Sequence, residues 1–156
     1  ILQKFYRPFH HKLSELLATA QRSHSHIILM DIHSMPAEQA HIRGLVPDVI
    51  FGNLYGATLP DRLVETVDKI MTTSRYHWRW NNPYAGGYIT RHYGLPEASS
   101  GRRTPTKCTI SVLQVEINRR LYVAPSFGVH SHKIAEITSL LDRIATALDL
   151  ASAHSE

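Results

Sequence analysis

The stretch His26-Ile-Ile-Leu-Met-Asp-Ile-His-Ser-Met-Pro36 is the part of the sequence that decides the fold. Residues 27–30 form an apolar run that is short enough to be a strand buried on both faces, in the middle of an α/β sheet. Because side chains alternate along a strand, Asp31 and His33 should point to the same side. Open α/β sheets bind ligands at the carboxyl ends of such strands, so this pair indicates a functional site. The alternative is that Asp31 and His33 cap the following turn, and the spacing alone leaves both interpretations open.

The segments on either side of this strand alternate between helical and strand patterns. Apolar residues at helical spacing predict helices from Pro8 to about residue 24, over 61–74, and over about 131–151, the last with Ile134 in its buried stripe. Strand patterns follow at 26–32, 47–52 and 108–118, and residues 75–80 resemble an exposed or edge strand. Residues 34–46, 53–60 and 95–107 are predicted loops. This alternation favours a single α/β domain over residues 1–156, rather than a helical bundle or a sandwich.

Two other segments carry candidate functional groups. Glu116 lies in the apolar strand 108–118, on the face that also carries Gln114 and Asn118. A buried glutamate is costly unless it is paired or lies in a cleft, so it is either functional or part of a solvated strand face. Residues 81–88 include the adjacent Gly86 and Gly87, whose backbone can approach another group closely or adopt positive φ. The alternative there is an ordinary Asn-Pro turn followed by a hairpin.

Composition excludes several classes of protein. The formal charge is +4, with lysine and arginine scattered along 156 residues, which gives little support for nucleic-acid binding. No apolar stretch approaches the roughly 20 residues of a membrane span, and no signal peptide is recognisable. Cys108 is the only cysteine, so no intramolecular disulfide can form. We therefore expect a cytoplasmic protein with a small-molecule substrate, without nucleic-acid or membrane partners, and with an oligomeric state that the sequence leaves open.

Five motifs, in order, resemble the N-formylglutamate amidohydrolase (deformylase) family. The resemblance implies an α/β fold of the zinc-carboxypeptidase-like (phosphorylase/hydrolase-like) class, with a mixed sheet flanked by helices. It also implies hydrolysis of the formamide of N-formyl-L-glutamate to formate and L-glutamate, a step of histidine degradation. The motifs are Tyr6-Arg-Pro-Phe-His10, Asp31-Ile-His-Ser-Met35, Pro47-Asp-Val-Ile-Phe-Gly52, Asn82-Pro-Tyr-Ala-Gly-Gly-Tyr88 and Gln114-Val-Glu-Ile-Asn-Arg119.

The resemblance also suggests residue roles. His33 matches a metal-binding histidine, Asp31 would orient or polarise the site, and Glu116 would be the general base. Neutral imidazole suits zinc, and a catalytic zinc usually has three protein ligands and a water whose pKa it lowers toward ~7. The remaining matched residues would line the substrate pocket: Asn82, Tyr84, Gly86, Gly87, Tyr88 and Arg119.

The same resemblance points to missing parts. The cofactor should be a divalent metal, with zinc preferred, and an upstream histidine and acidic ligand of the family have no counterpart before residue 27. We therefore expect the other ligands upstream of residue 1, with this chain forming the C-terminal half to two-thirds of an amidohydrolase fold. Three alternatives remain open: a catalytically silent ligand-binding domain, an amidase for another N-acyl amino acid, and a small basic nucleic-acid-binding module.

Overall fold

The computed structural model describes residues 2–38, 45–95, 108–124, 126 and 128–153. A π-helical turn, Leu2–Tyr6, leads into the first α-helix, and a 3-10 turn, Arg119–Leu121, follows the last strand. The regular elements, in chain order, are α1 (Arg7–Ala20), β1 (His26–Met35), β2 (Val49–Gly52), α2 (Asp61–Thr72), β3 (Trp78–Trp80), α3 (Tyr88–Gly94), β4 (Thr109–Asn118) and α4 (Ser131–Ala153).

The four strands form one mixed sheet in the order β1-β4-β2-β3. β1 and β4 are parallel, β4 and β2 are antiparallel, and β2 and β3 are parallel. The predicted mixed sheet flanked by helices is thus confirmed. β4 lies between two strands and is buried from Ser111 to its end at Asn118.

Helices α2 and α4 cover one face of the sheet and enclose the hydrophobic core. Val49 and Phe51 of β2, together with the odd-numbered residues 113, 115 and 117 of β4, point toward these helices. Burial of each large aliphatic side chain contributes about 1.5–3 kcal/mol to stability. The helices contribute core side chains at helical spacing: Leu63, Val67, Met71, Ile137, Leu140, Ile144 and Leu148.

The prediction that residues 27–30 lie in the middle of the sheet is wrong. Among the described residues β1 pairs only with β4, and its residues 26–31 are half-buried rather than buried. The inner, buried strands are β4 and β2. A short apolar run shows that a strand is largely covered, but it does not say how many strands flank it, because flanking strands are set by pairing between distant segments.

Other differences concern the ends and types of elements. Helix α1 begins at Arg7 and ends at Ala20, before the predicted end near residue 24, and Ile134 at the start of α4 is 41% exposed. The hairpin alternative after the Asn-Pro turn is wrong, because α3 occupies Tyr88–Gly94 and buries Thr90 completely. The edge strand predicted over 75–80 is confirmed only for Trp78–Trp80, which form β3 at the edge of the described sheet. The predicted loop 95–107 lies outside the described residues except for Leu95.

No helix in the described part of the chain is both long enough and apolar enough to cross a lipid bilayer.

Candidate active site

A row of polar side chains crosses the sheet face that points away from α2 and α4. In the register of the sheet, Asp31 lies beside Gln114, and His33 lies beside Glu116. The core-facing residues of β4 are odd-numbered, so Gln114 and Glu116 project to the opposite face. Two strands that are distant in sequence therefore place two carboxylates and an imidazole close together on one surface.

Asp31 and His33 form a direct pair on β1. The Nε2 atom of His33 lies 2.9 Å from Oδ2 of Asp31, and the two side chains are 46% and 11% exposed respectively. Strand β1 continues to Met35, so both residues lie inside the strand, and the turn-cap alternative is wrong. The mostly buried carboxylate orients the more accessible imidazole, which is a common arrangement at sites where a histidine has a chemical role.

Glu116 is buried in the middle of the sheet, with only 8% of its surface exposed. The alternative of a solvated strand face is wrong, because Gln114 and Asn118 are buried as well. Burial raises the pKa of Glu116 above its usual value; the neighbouring Asp31 reinforces this shift, while His33 and Arg119 oppose it. A carboxylate with a raised pKa is better matched to proton transfer near neutral pH than an ordinary surface glutamate.

The glycine-containing loop before α3 packs directly against this site. The backbone N–H of Gly87 donates a 2.6 Å hydrogen bond to Oε1 of Gln114. Gly86 has φ +132°, a conformation that L side chains rarely adopt, and a Cβ on Gly52 would lie 2.8 Å from the carbonyl carbon of Ala85. The predicted close approach of the glycine backbone is therefore confirmed, and its partner is the polar face of β4.

Two adjacent asparagines have different positions in the turn that precedes this loop. Asn82, a predicted pocket residue, is exposed, whereas Asn81 is buried. The Oδ1 atom of Asn81 accepts the N–H groups of Asn53 (3.0 Å) and Tyr55 (3.3 Å), so Asn81 holds the loop after β2. Sequence reasoning missed Asn81; its positive φ of 58° is one that asparagine tolerates better than most residues.

The other predicted pocket residues surround the site less directly. Arg119 is exposed at the end of β4, near enough to Glu116 to influence its pKa. Tyr84 is half-buried, and the ring of Tyr88 lies 5.7 Å from that of Tyr6 and stacks on His92 at 5.0 Å. Tyr88 thus connects α3 to the N-terminal helical segment, a contact that sequence reasoning did not anticipate.

His10 completes the contact between α1 and α3. Its Nδ1 lies 2.9 Å from the hydroxyl of Tyr93, and its ring lies 5.0 Å from that of Tyr88. By contrast, Arg120, which neighbours the candidate Arg119, bonds Asp48 at 2.8 Å and the carbonyl oxygen of Val46 at 2.7 Å. Arg120 is therefore committed to holding the loop before β2.

The described residues do not by themselves fit a zinc ion. No group of three histidine, cysteine, aspartate or glutamate side chains has the spacing of a metal site within these ranges. His33 supplies one suitable imidazole, but its Nε2 is directed at Asp31. A catalytic zinc normally has three protein ligands, so the described residues alone are too few to form a catalytic zinc site.

The fold and the site together define a mixed α/β domain with a carboxylate–imidazole pair and a buried glutamate on one sheet face. Comparison with known proteins then identifies the family. Residues 1–123 match the family described as N-formylglutamate amidohydrolase, and the chain belongs to this family. The resemblance predicted from the five motifs is thereby confirmed.

Individual relatives agree with this assignment. The chain is 31% identical over 98 residues to an N-formylglutamate deformylase of Pseudomonas aeruginosa, covering 62% of the chain and 37% of the relative. It is 31% identical over 97 residues to a deformylase of Pseudomonas putida, covering 61% and 36%. The chain therefore spans little more than a third of the length of these curated relatives.

Solved structures show the same architecture. A crystal structure of N-formylglutamate amidohydrolase from Ralstonia eutropha JMP134 superposes with a TM-score of 0.70 at 25% identity, covering 97% of this chain and 53% of that one. A gene product of Agrobacterium tumefaciens matches with a TM-score of 0.66 at 18% identity and the same coverage, which supports the fold alone.

Proposed function

We propose that the intact protein hydrolyses the formamide of N-formyl-L-glutamate to formate and L-glutamate. The observation that carries this proposal is the position of the buried Glu116, which lies beside the Asp31–His33 pair on the sheet face opposite α2 and α4. Burial raises the pKa of Glu116. The family membership of the chain supports the choice of a linear amide as the bond that is cleaved.

Glu116 acts as the general base in this proposal. It accepts a proton from the water that attacks the formyl carbon, and it returns that proton to the nitrogen as the C–N bond breaks, which releases formate and the amine of glutamate. Asp31 accepts a hydrogen bond from Nε2 of His33, and so keeps the neutral imidazole facing the same surface.

The proposed cofactor is a divalent metal. Zinc is preferred because a neutral imidazole is a suitable ligand for it. His33 would supply one neutral imidazole, with further ligands from outside the described residues. We also propose that the fold belongs to the zinc-carboxypeptidase-like class, and this proposal depends on the presence of the metal site.

The proposed substrate pocket includes the glycine loop and an arginine that binds a carboxylate of the substrate. The arginine is Arg119, which is exposed after β4 and near enough to Glu116 to influence its pKa. A guanidinium suits bidentate binding of a carboxylate. The other predicted pocket residues are Asn82, Tyr84, Gly86, Gly87 and Tyr88.

The proposed location of the protein is the cytoplasm, and the proposed reaction is a step of histidine degradation.

The variant Glu116→Gln in the intact protein tests the assignment of the base. Gln preserves the shape but cannot take a proton, so turnover of N-formyl-L-glutamate should fall by about 10²–10⁴-fold. The melting temperature and the metal content should stay close to wild type. In the wild type, kcat/KM should rise with pH only above the ordinary glutamate value of 4.5, because the raised pKa keeps Glu116 protonated to higher pH.

The matched control is Glu65→Gln on the exposed face of α2, which should leave turnover unchanged. Normal turnover of Glu116→Gln would end the assignment of Glu116 as the base. A wild-type protein that binds N-formyl-L-glutamate without cleaving it would favour a silent binding domain, and cleavage of other N-acyl amino acids in preference would redefine the substrate.

A further inference from the structure

Within the described residues, the side chain of Gln114 forms hydrogen bonds with both the candidate base and the glycine loop. Its Nε2 lies 3.1 Å from Oε1 of Glu116, and its Oε1 accepts the 2.6 Å hydrogen bond from the N–H of Gly87. Only 4% of its surface is exposed, so neither end of the amide can exchange its partner for solvent without cost.

The orientation of the Gln114 amide follows from its partners. The backbone N–H of Gly87 can only donate, so the atom that meets it must be the amide oxygen. The NH₂ group must then face Glu116, where it donates to the carboxylate. The usual ambiguity between the oxygen and nitrogen of a side-chain amide is therefore removed by the chemistry of the neighbours.

The Gln114 amide lies close to Gly87, so a side chain added at this loop position would press on it. A Cβ on Gly87 would lie 3.2 Å from Oε1 of Gln114, although its φ of −89° is accessible to any residue. An alanine here would therefore have to displace the Gln114 amide by a few tenths of an ångström, which would disturb the link without straining the backbone.

We propose that Gln114 is a positioning residue that couples the glycine loop to the base: by holding Gly87 at one end it fixes its NH₂ group on the carboxylate of Glu116. This inference rests on the proposed function, because it assumes that Glu116 acts as the base. The proposal also gives the glycine loop a role. A substrate that contacts the loop would influence the position of the Glu116 carboxylate through the side chain of Gln114.

The variant Gln114→Met in the intact protein tests the proposal, because Met has nearly the same shape but forms neither hydrogen bond. Hydrogen exchange of the Gly87 amide should accelerate by about tenfold, as expected for the loss of one hydrogen bond. The kcat for N-formyl-L-glutamate should fall by about tenfold or more, while KM changes by less than about twofold, because Gln114 acts on the base rather than on binding. Gln3→Met, at an exposed glutamine of the N-terminal turn, is the control and should change neither quantity.

A double-mutant cycle separates positioning from a general structural role. In the Glu116→Gln background, Gln114→Met should cause no further loss of kcat, because its effect passes through Glu116. Gly87→Ala disturbs the same contact from the side of the loop, so its loss of kcat should be less than additive with that of Gln114→Met. If Gln114→Met does not fold, Gly87→Ala can replace it as the test variant.

The possible outcomes are distinct. Unchanged exchange of the Gly87 amide, an unchanged kcat, or an equal loss of kcat in the Glu116→Gln background would each overturn the role of Gln114. Normal turnover of Glu116→Gln itself would instead end the assignment of Glu116 as the base, and the role of Gln114 with it, whereas a wild-type protein that does not cleave N-formyl-L-glutamate would overturn the proposed function.

Discussion

At the scale of single residues, the surroundings of each carboxylate distinguish its role. Asp31 is committed to His33 at 2.9 Å, while Glu116 meets an uncharged amide and has its pKa raised by burial. In the proposed function these two carboxylates therefore have different roles, one orienting an imidazole and the other exchanging a proton. The same contrast holds for two adjacent arginines, because Arg120 is paired with Asp48 whereas Arg119 is exposed beside the site.

This contrast between the arginines leads to a prediction about substrate binding. In the intact protein, Arg119→Lys should raise KM for N-formyl-L-glutamate by about tenfold, because Lys keeps the charge but cannot bind a carboxylate through two parallel hydrogen bonds. KM for an uncharged formamide should stay nearly constant. The measurement is steady-state kinetics on both substrates.

The matched control is Arg143→Lys on α4, which packs on the opposite face of the sheet. If Arg119→Lys affected both substrates equally, Arg119 would have a structural role after β4 and no place in the pocket.

At the scale of elements, backbone packing between β2 and the loop before α3 sets the position of the site. Leu54 donates a 2.8 Å hydrogen bond to the carbonyl of Ala85, and Gly52 lies directly beneath the same loop. The loop reaches Gln114 because nothing larger than a hydrogen atom projects from Gly52. The end of β2 therefore determines where the N-terminus of α3 meets β4.

The substitution Gly52→Ala should disturb this arrangement. The added Cβ would lie 2.8 Å from Ala85 C and 2.9 Å from Gly86 N, and backbone atoms cannot rotate away as a flexible side chain can. Overpacking of this kind costs about 1–3 kcal/mol, so the free energy of unfolding should fall by that amount in denaturant titration. Exchange of the Gly87 amide should accelerate as well.

Gly128→Ala is the comparison, because the nearest contact of its Cβ among the described residues would be Ser126 Oγ, at the ordinary distance of 3.8 Å. We expect this variant to change stability by less than about 0.5 kcal/mol. Equal stabilities for the two variants would show that the loop yields to the methyl group, and would remove Gly52 as the residue that positions it.

At the scale of the whole molecule, one face of the sheet forms the hydrophobic core and the other forms the candidate site. The face under α2 and α4 carries the core, and the other carries the polar row from Asp31 to Glu116. β4 joins them, because its odd-numbered residues belong to the core and its even-numbered residues 114, 116 and 118 to the polar face. The stability of the core and the geometry of the site therefore share one strand.

The described residues offer a single histidine at the site, which predicts weak zinc binding by this 156-residue chain. After dialysis, metal analysis should find well below one equivalent of zinc, since a tight site needs three or four ligands. Circular dichroism would confirm that the chain is folded during the measurement. Stoichiometric zinc that is lost in His33→Ala would contradict this prediction and point first to His24 and His26 as overlooked ligands.

The sequence by itself determined the local features of this protein. Apolar spacing predicted α2 and α4, alternation predicted that Glu116 shares a face with Gln114, and the two-residue period predicted the Asp31–His33 pair. These features follow from the fixed geometry of single elements, which short segments specify without reference to the rest of the chain. The five motifs also sufficed to identify the family.

Tertiary structure alone decided the rest. It placed β1 at the edge of the described sheet and β4 at its centre, selected Asn81 rather than Asn82 as the buried amide, and brought Gly87 to Gln114 across 27 positions of the sequence. Each of these depends on pairing or packing between segments that are far apart in the chain. No local pattern encodes such contacts, because they become favourable only when the distant partner is already in place.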